Sequence, residues 1–376
     1  MTTLKNLTIY LENDVIHQGY IVFNQHIIEI GQGDCDGIDM EGKILIPGFI
    51  DQHIHGAYGA DVMDASEAAL ETMSQSLPLE GTTSFLATTM TETDDQIIHA
   101  LENIETFMRL NQKPGAELLG VHLEGPFISK TYKGAQRLDA IRTPSIDLFD
   151  TFNKASGNHI KQVTLAPEID GAIELIKHLK TLNIVCSLGH SDASYQQAHD
   201  ALLDGAQCFT HGYNAMRPLH HRDLGMVGAM LLQDDAYAEL ICDFIHTSVP
   251  AAKLLFSNKQ SKRLILVTDA IRAKGLKDGH YTLGGQDVIK IGNEARLKDG
   301  TLAGSVLKMD DAVKNFRKLA QIPIETIIKV ASENPAKLHQ VFDRKGSIEV
   351  GKDADFIIID EDINIYETYC KGIRCY

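Results

Sequence analysis

The chain is organised around a stretch near its start, residues 46–56: Ile46-Pro47-Gly48-Phe49-Ile50-Asp51-Gln52-His53-Ile54-His55-Gly56. Its apolar first half predicts a buried strand over residues 46–54. Side chains two positions apart on a strand point to the same side, so His53 and His55 project together. Two imidazoles beside Asp51 form a bidentate grip on a transition metal. Histidines in register by chance are the ordinary explanation of an isolated repeat, so the metal interpretation depends on matching ligands elsewhere.

The charge balance narrows the classes of partner. The 376 residues include 35 Lys and Arg against 51 Asp and Glu, a net charge of −16. This charge argues against binding to nucleic acid or to an anionic membrane surface. An anionic small-molecule substrate would therefore be met by a few placed cations.

The cysteines and the N-terminal residues bear on the compartment. The six cysteines contain no CxxC pair, which is typical of a reduced, cytoplasmic protein with structural thiols. No basic segment followed by an apolar run opens the chain, so no signal peptide is expected. No apolar run is long enough to span a membrane.

Short β-like segments occupy both ends of the chain. They lie at residues 7–10, 19–23, 26–30, 346–348, 354–360, 363–369 and 372–374, separated by Gly- and Asp-bearing turns. Two strand-rich termini around a different middle predict one small β-sandwich domain, made of residues 1–46 plus 344–376.

The middle alternates between apolar strands and helical periods. Candidate strands are 46–54, 83–88, 118–123, 162–166, 184–188, 207–210, 239–243 and 264–268. Candidate helices are 66–77, 96–110, 171–182, 194–204, 249–257 and 306–320. Eight strands alternating with helices favour a (β/α)₈ TIM-like barrel over residues 47–343 rather than a doubly wound sheet.

Polar residues able to do chemistry follow the predicted strands. Glu124, His190, His211, His246 and Asp269 each stand at or just after a strand end. The carboxyl ends of barrel strands meet at one rim, where such barrels carry their sites. Histidine and carboxylate from separate strands then predict a metal site with room for water.

Asp269 is the predicted acid and base. A divalent metal lowers the pKa of water that it binds, so hydroxide becomes available near neutral pH. A carboxylate beside that water can take its proton and deliver it to a leaving nitrogen. Asp269 could equally be one more metal ligand, and the two roles are compatible. The chemistry indicated is hydrolysis of an amide or amidine.

These residues carry a resemblance to a known family. The stretch 47–56 with Asp269 resembles the amidohydrolase superfamily, and within it the N-acetylglucosamine-6-phosphate deacetylases. Matching segments are 122–127 (HLEGPF), 189–191 (GHS), 210–216 (THGYNAM), 267–270 (VTDA), 302–305 (LAGS), 334–336 (NPA) and 351–355 (GKDAD). The resemblance covers nearly the whole chain. It implies a metal-dependent hydrolase that removes the N-acetyl group of N-acetylglucosamine 6-phosphate.

The resemblance also implies roles for individual residues. Glu124, His190 and His211 would bind the principal divalent metal, and Asp269 would be the catalytic acid and base. Substrate contacts would be Ala135, Gln136, Asn214, Ala215, Arg222, His246, Leu302, Ala303 and Gly304. Arg222 and His246 would meet the sugar phosphate, which suits a forked guanidinium. In this family part of the phosphate site comes from the neighbouring subunit, which implies a homodimer.

The histidine pair leaves the number of metals open. Some relatives have Gln and Asn where this chain has His53 and His55, and they bind one ion. With both histidines present, a second ion bridged by Glu124 and approached by Asp269 is expected; otherwise the pair only orders water. Imidazole and carboxylate suit Zn, Fe, Mn and Co alike, so one or two such ions are predicted.

Three departures from the family concern the sugar pocket. Gln136 replaces a histidine, and its amide can still donate to a carbonyl or hydroxyl. Gly212 and Phe244 differ in size from the residues common in relatives, and they are expected to reshape the pocket. The segment 272–285 is either a lid or a hairpin.

Three other interpretations compete. One is another amidohydrolase that acts on a different N-acyl sugar or on a cyclic amide. Dihydroorotase-like and hydantoinase-like enzymes often bridge two metals with a carboxylated lysine at the end of the fourth strand. Lys161 lies instead at the start of that strand. A metal-free homologue or a phosphosugar-binding regulator would keep Arg222 and His246 without needing Asp269.

Overall fold

A parallel barrel forms the centre of the molecule. The computed structural model describes residues 1–110 and 113–376. The barrel strands, in chain order, are Phe49–Ile54, Thr82–Thr88, Glu117–Glu124, Ile160–Leu165, Val185–Leu188, Cys208–Phe209, Tyr237–Ile241 and Leu264–Val267. Each strand pairs in parallel with the next, and a bridge between Ile54 and Ala270 brings the last strand to the first. The predicted barrel is confirmed.

Helices cover the outside of the barrel. The α-helices are Glu67–Ser76, Asp94–Leu110, Ile146–Ala155, Ala172–Thr181, Tyr195–Asp204, Gly225–Leu232, Val249–Arg263, Met309–Ala320, Ile324–Ile328 and Asn334–Leu338. A π-turn, Lys329–Glu333, joins the last two, and 3₁₀ turns occupy Val62–Asp64, Leu77–Glu80 and Leu138–Ala140. None of the described helices has both the length and the apolar character needed to cross a membrane.

Four of these helices escaped the sequence prediction, among them the short helices Ile324–Ile328 and Asn334–Leu338. Gly225–Leu232 is buried along almost its whole length and apolar on every side, so it shows no helical period. Ile146–Ala155 did offer a signal, because Ser145 caps it by accepting a hydrogen bond from the Leu148 N–H at 3.3 Å.

The prediction of one strand over residues 46–54 is wrong. Ile44–Pro47 pairs with Phe356–Ile359 in the terminal sheet, whereas Phe49–Ile54 pairs with Thr82–Thr88 in the barrel. Gly48 is the crossing point between the two. A Cβ at Gly48 would lie 2.2 Å from the Thr83 side chain, so the chain can pass there only without a side chain.

The terminal strands form one curled sheet. They are Thr2–Tyr10, Val15–Phe23, Ile27–Gln32, Ile38–Asp39, Ile44–Pro47, Phe356–Ile359, Ile365–Cys370 and Ile373–Arg374. Residues from both chain ends share a core under it, including Phe23, Phe356 and Tyr369. The predicted strand at 346–348 is absent from the structure. Gly346 has φ +81° and packs closely on Ala336, so this segment turns instead of extending.

The segment after the eighth barrel strand leads into a small antiparallel sheet. Its strands are Gly279–Leu283, Gln286–Ile291 and Glu294–Leu297. A further short pair, Gly56–Ala57 with Ala60–Asp61, follows the first barrel strand. Residues 272–285 therefore include the first strand of a hairpin, whose turn is formed by Gly284 and Gly285.

Candidate metal centre and active site

The ligands predicted from the strand ends meet at one rim of the barrel. Glu124 is the last residue of its strand, and His53 and His55 lie at the end of the first strand. His190, His211 and Asp269 follow the fifth, sixth and eighth strands by two residues each. All of them are buried. Residues more than 200 positions apart thus share one site because parallel strands end on the same side.

Glu124, His190 and His211 form a compact triangle. Oε1 of Glu124 lies 3.2 Å from Nε2 of His190 and 3.1 Å from Nε2 of His211, and the two Nε2 atoms are 3.0 Å apart. Ligands that share one ion at about 2.1 Å lie about 3–3.5 Å from one another, so this spacing fits a common ion.

A second set adjoins the first. Nε2 of His55 lies 3.2 Å from both Oε2 of Glu124 and Oδ1 of Asp269. Nε2 of His53 lies 3.4 Å from Oε1 of Glu124 and 3.5 Å from the same Asp269 oxygen. Glu124 therefore contacts both sets, as a bridging carboxylate does.

The hydrogen bonds of the imidazoles show that these groups suit a cation. Nδ1 of His190 donates to the Tyr132 carbonyl at 2.9 Å, and Nδ1 of His55 donates to the Thr88 carbonyl at 3.2 Å. Nδ1 of His53 donates to Oε2 of Glu239 at 2.9 Å. In the neutral rings each Nε2 then presents a lone pair toward carboxylate oxygens. Acceptors facing acceptors in a buried site require a cation between them, so the donor set fits a divalent metal.

Where no metal is bound, protons can supply the positive charge that these facing acceptor atoms require. Burial disfavours charge on His55, but hydrogen bonds with Asp269 and Glu124 raise its pKa to about 9. Burial acts likewise on His53, whose pKa is nevertheless raised well above its usual value by Asp269, Glu124 and Glu239. Burial opposes ionisation of Glu124, yet the imidazoles of His53, His190 and His211 hold its pKa well below the usual range. Metal and protons therefore compete for the same atoms.

Backbone strain aims three of these side chains. His190, His211 and Asp269 have φ values of 49°, 33° and 48°, in the left-handed region. Such conformations cost on the order of 1–3 kcal/mol each in residues other than glycine. Hydrogen bonds from the main chain hold two of these residues in place. The Asp269 N–H donates to the His53 carbonyl at 2.8 Å, and the His211 N–H donates to the Glu239 side chain at 3.0 Å.

Comparison with known proteins identifies the family. The amidohydrolase family matches residues 44–374. The chain belongs to the amidohydrolase family. It is 47% identical to N-acetylglucosamine-6-phosphate deacetylase of Bacillus subtilis (strain 168), over 98% of this chain and 96% of that protein. N-acetylgalactosamine-6-phosphate deacetylase of Escherichia coli O157:H7 is 38% identical, over 89% of this chain and 88% of that protein.

A solved structure agrees over the whole length. The crystal structure of N-acetylglucosamine-6-phosphate deacetylase from Thermotoga maritima superposes with a TM-score of 0.91 at 37% identity, covering 100% of this chain and 99% of that chain. The barrel and the terminal sheet are therefore both shared with that structure.

The ligands of this amidohydrolase open into a cavity of about 340 Å³. Most of the predicted substrate contacts line it together with the metal ligands: Ala135, Gln136, Asn214, Ala215, His246, Leu302 and Gly304. Ala303 does not line it, because this residue is fully buried in the core beside Ile271. Such a volume suits a small-molecule substrate.

Arg222 lies outside the cavity of its own chain. It sits in an exposed turn, where its guanidinium is 2.8 Å from the His221 ring and its N–H donates to His220. No Lys or Arg of the described residues lines the cavity. The structure therefore does not bring Arg222 together with the metal ligands.

His246 is the residue in the cavity most suited to an anion. Its Nδ1 lies 2.6 Å from Asp243, and its buried Nε2 has no partner among the described residues. Burial opposes charge on this ring, but Asp243 raises its pKa. The ring can therefore donate from Nε2 to a ligand.

The Gln136 side chain is hydrogen-bonded to one of the metal ligands. Its Nε2 donates to Oε2 of Glu124 at 2.7 Å, and its Oε1 accepts the Thr91 N–H at 2.7 Å. The expected amide–substrate contact is thus accompanied by a role in holding Glu124. One N–H of the amide is left for a ligand.

Gly212 and Phe244 do not line the cavity. A Cβ at Gly212 would lie 2.8 Å from the Met230 sulfur and 3.0 Å from the Glu239 carbonyl, so glycine there serves packing behind the site. Phe244 has φ +62° and packs against the barrel core. That these two residues reshape the sugar pocket stays a prediction, and such an effect would act through the residues that line the wall.

Several residues that shape the site were missed in the sequence. Glu239, Gln52 and Gln162 form a polar layer inside the barrel, below the metal ligands. A signal existed for Glu239, because a charged residue stands alone in the buried run of strand Tyr237–Ile241. Tyr132 and Thr88 contribute their main-chain carbonyls, so the type of side chain at these positions gives no sign of the role.

Proposed function

We propose that this amidohydrolase hydrolyses N-acetylglucosamine 6-phosphate to glucosamine 6-phosphate and acetate. The observation that carries the proposal is the set of acceptor atoms around Glu124 and Asp269, which needs a metal and opens into a sugar-sized cavity. Full-length relatives of this name at 47% and 37% identity supply the substrate.

The chemistry follows from where the groups lie. Glu124, His190 and His211 would hold a divalent metal, which would supply Lewis acidity toward the acetyl carbonyl and toward water. Asp269 faces the same cavity. Burial raises and the neighbouring histidines lower its pKa, with a net lowering, so it is a carboxylate that can accept a proton. It takes the proton of the attacking water and delivers it to the nitrogen as the C–N bond breaks.

His53 and His55 support two ions rather than one. Asp269 and Glu124 lie within 3.5 Å of both imidazoles, which is enough for a second coordination set. Zn, Fe, Mn and Co all suit these ligands. Elemental analysis of protein purified without added metal identifies the ion and its stoichiometry.

The phosphate site is proposed to be shared between two subunits. A sugar phosphate needs cations, and in one chain His246 is the only basic side chain of the described cavity wall besides the metal-ligand histidines. Arg222 is exposed and free to reach across a homodimer interface. The Arg222 guanidinium of the partner subunit would fork onto the phosphate.

The activity is tested by acetate release. Purified protein with its metal should release acetate from N-acetylglucosamine 6-phosphate with a kcat/KM well above that for the unphosphorylated sugar or for N-acetylgalactosamine 6-phosphate. A preference for the galactose derivative would replace the proposed substrate. No release from any of the three, by protein that carries its metal, would refute the deacetylase proposal.

Mixing two inactive variants tests the sharing of Arg222. D269N and R222A are each expected to be poorly active. In a mixed dimer, the subunit with intact Asp269 receives an intact Arg222 from its partner, so activity should return after the two are unfolded and refolded together. If Arg222 served its own chain, the mixture would stay as poor as its components.

Two organisational proposals accompany the function. Residues 1–46 plus 344–376 and residues 47–343 are proposed as the two domains, which is supported by the crossing of the chain at Gly48. A cytoplasmic site of action is proposed because all six cysteines are free thiols. Limited proteolysis near residues 344–350 and cell fractionation test these two points.

A further inference from the structure

One buried carboxylate lies directly beneath both ligand sets. Glu239 is on the seventh barrel strand, is fully buried, and does not itself line the cavity. We propose that Glu239 is a positioning residue that fixes His53 and His211 together as metal ligands. This inference rests on the proposed function only in assuming that the site takes a metal.

The first contact sets the proton of His53. Oε2 of Glu239 is 2.9 Å from Nδ1 of His53, so a carboxylate there demands a proton on Nδ1. The opposite nitrogen, Nε2, is buried and has no hydrogen-bond partner among the described residues. It is aimed at Glu124 and Asp269, at 3.4 and 3.5 Å. With the proton held on Nδ1, Nε2 carries the lone pair that a metal needs.

The second contact sets the backbone of His211. The same Oε2 accepts the main-chain N–H of His211 at 3.0 Å. His211 has φ +33°, which is unfavourable for a residue with a side chain and must be held by its surroundings. A single oxygen therefore connects a ligand of the first set with a ligand of the second.

The third point is that the layer requires a charge. Oε1 of Glu239 accepts from the side-chain amides of Gln52 at 2.8 Å and of Gln162 at 2.9 Å. Four donors thus converge on one carboxylate, two on each oxygen. A glutamine at position 239 has the same size but brings its own N–H groups, so it would place donor against donor on one side.

The consequence of E239Q depends on how the amide turns. An NH₂ group toward His53 makes Nδ1 the acceptor and moves the ring proton to Nε2, which removes the lone pair from the metal position. An NH₂ group toward Gln52 and Gln162 opposes two donors and displaces the strand. Both outcomes act on the His53 position.

Cobalt binding tests this without substrate. Chelator-treated wild type, E239Q, H53Q and Q162M are titrated with Co²⁺, followed by visible absorption and calorimetry. Wild type should bind a Co²⁺ ion whose absorption signal is absent in H53Q. E239Q should bind that ion about 10–100-fold more weakly than wild type. Q162M is the matched control, because it removes one donor from Oε1 and leaves the contacts of Oε2 in place. It should bind Co²⁺ like wild type.

Two results would overturn the inference. One is E239Q binding Co²⁺ like wild type; the other is Q162M losing the ion as E239Q does, because the layer would then act only through general packing. If E239Q does not fold, ¹⁵N-histidine spectra of Zn²⁺-loaded wild type decide the question. They should show the His53 proton on Nδ1, and a proton on Nε2 would refute the assignment. A wild type that binds Co²⁺ as described without releasing acetate would refute the deacetylase proposal and leave this one intact.

Discussion

The third barrel strand, Glu117–Glu124, begins and ends with a glutamate in a cluster of charged side chains. Glu124 meets histidines and Asp269 at the carboxyl end. Glu117 meets Asp353 and Asp355 at the amino end, roughly 23 Å away for seven strand steps. Each cluster brings three or more potential ligand atoms close enough to hold a metal. The two ends differ in what neutralises the carboxylates.

At the Glu117 end, the chain supplies its own cations. The buried ammonium of Lys345 lies 2.8 Å from Glu117 and 3.2 Å from Asp353, and it also contacts Asp355. The Arg344 guanidinium pairs with Glu117 and Asp353 at 2.9 Å. With Lys371, which also pairs with Glu117, three carboxylates face three cations and leave no need for an ion, and the cluster joins the terminal segment to the barrel.

At the Glu124 end, imidazoles take the place of lysine and arginine. A neutral imidazole offers a lone pair, whereas an ammonium offers only protons. A group of buried carboxylates therefore favours a metal where the chain places no lysine or arginine beside it. Proximity of acidic groups alone does not distinguish the two ends.

Removal of metal should show the largest difference between the two ends of the strand. Treatment with a chelator should abolish acetate release, because Lewis acidity at the Glu124 end is lost. The fold should persist, since the Glu117 cluster holds no metal. Activity is measured before and after addition of Zn²⁺ or Co²⁺, with circular dichroism alongside. Full activity of protein that elemental analysis shows to be free of metal would contradict the assignment of a catalytic metal to the Glu124 end.

D269N should have the next largest effect. The variant keeps the shape of the side chain but cannot accept a proton, so kcat should fall by about 10²–10⁴-fold. The ion held by Glu124, His190 and His211 should stay bound, because these three ligands are unchanged, whereas an ion at His53 and His55 loses one of its carboxylates. D278N, a change of the same type at an exposed ion pair with Lys290, is the control and should keep wild-type kcat. Near-normal turnover by D269N would remove the acid–base role.

Some of these residues could be predicted from the sequence and others could not, and the reason is physical. His53 and His55 could be predicted because strands alternate sides and parallel strands end together, so chemistry at strand ends converges. The pairing of Glu117 with Lys345 spans 228 positions without any periodic relation. The contacts of Glu239 depend on which residues form one layer inside a closed barrel, and strand register cannot be read from one chain.

K345M should damage the amino end alone. Loss of the ammonium takes from the buried Asp355 the cation that neutralises it, and breaking such a pair costs about 3–5 kcal/mol. The free energy of unfolding, measured by urea denaturation, should fall by that amount, while kcat/KM per folded molecule stays the same. K371M is the matched control. Lys371 is half exposed, 3.3 Å from Glu117, and its loss should cost only about 0–1 kcal/mol. A drop in metal content of K345M would mean that the two ends are coupled.

E117Q should have the smallest effect, and its signature is a dependence on pH. Burial opposes ionisation of Glu117, but Lys345 and Arg344 hold its pKa at about 2, below the ordinary 4.5. A carboxylate whose pKa is depressed on folding stabilises the protein fully above pH 4.5, and this contribution is lost as the pH falls toward 2.

Glutamine cannot ionise, so the variant lacks this contribution at every pH. The difference in unfolding free energy between wild type and E117Q should therefore be about 1–3 kcal/mol near neutrality and shrink from pH 4.5 downward. Asp353 and Asp355 still balance Lys345 and Arg344, which is why the loss is smaller than in K345M. A difference that stays constant with pH would mean that Glu117 contributes through shape and not charge. The cation-neutralised end of the strand would then no longer contrast with the metal-binding end.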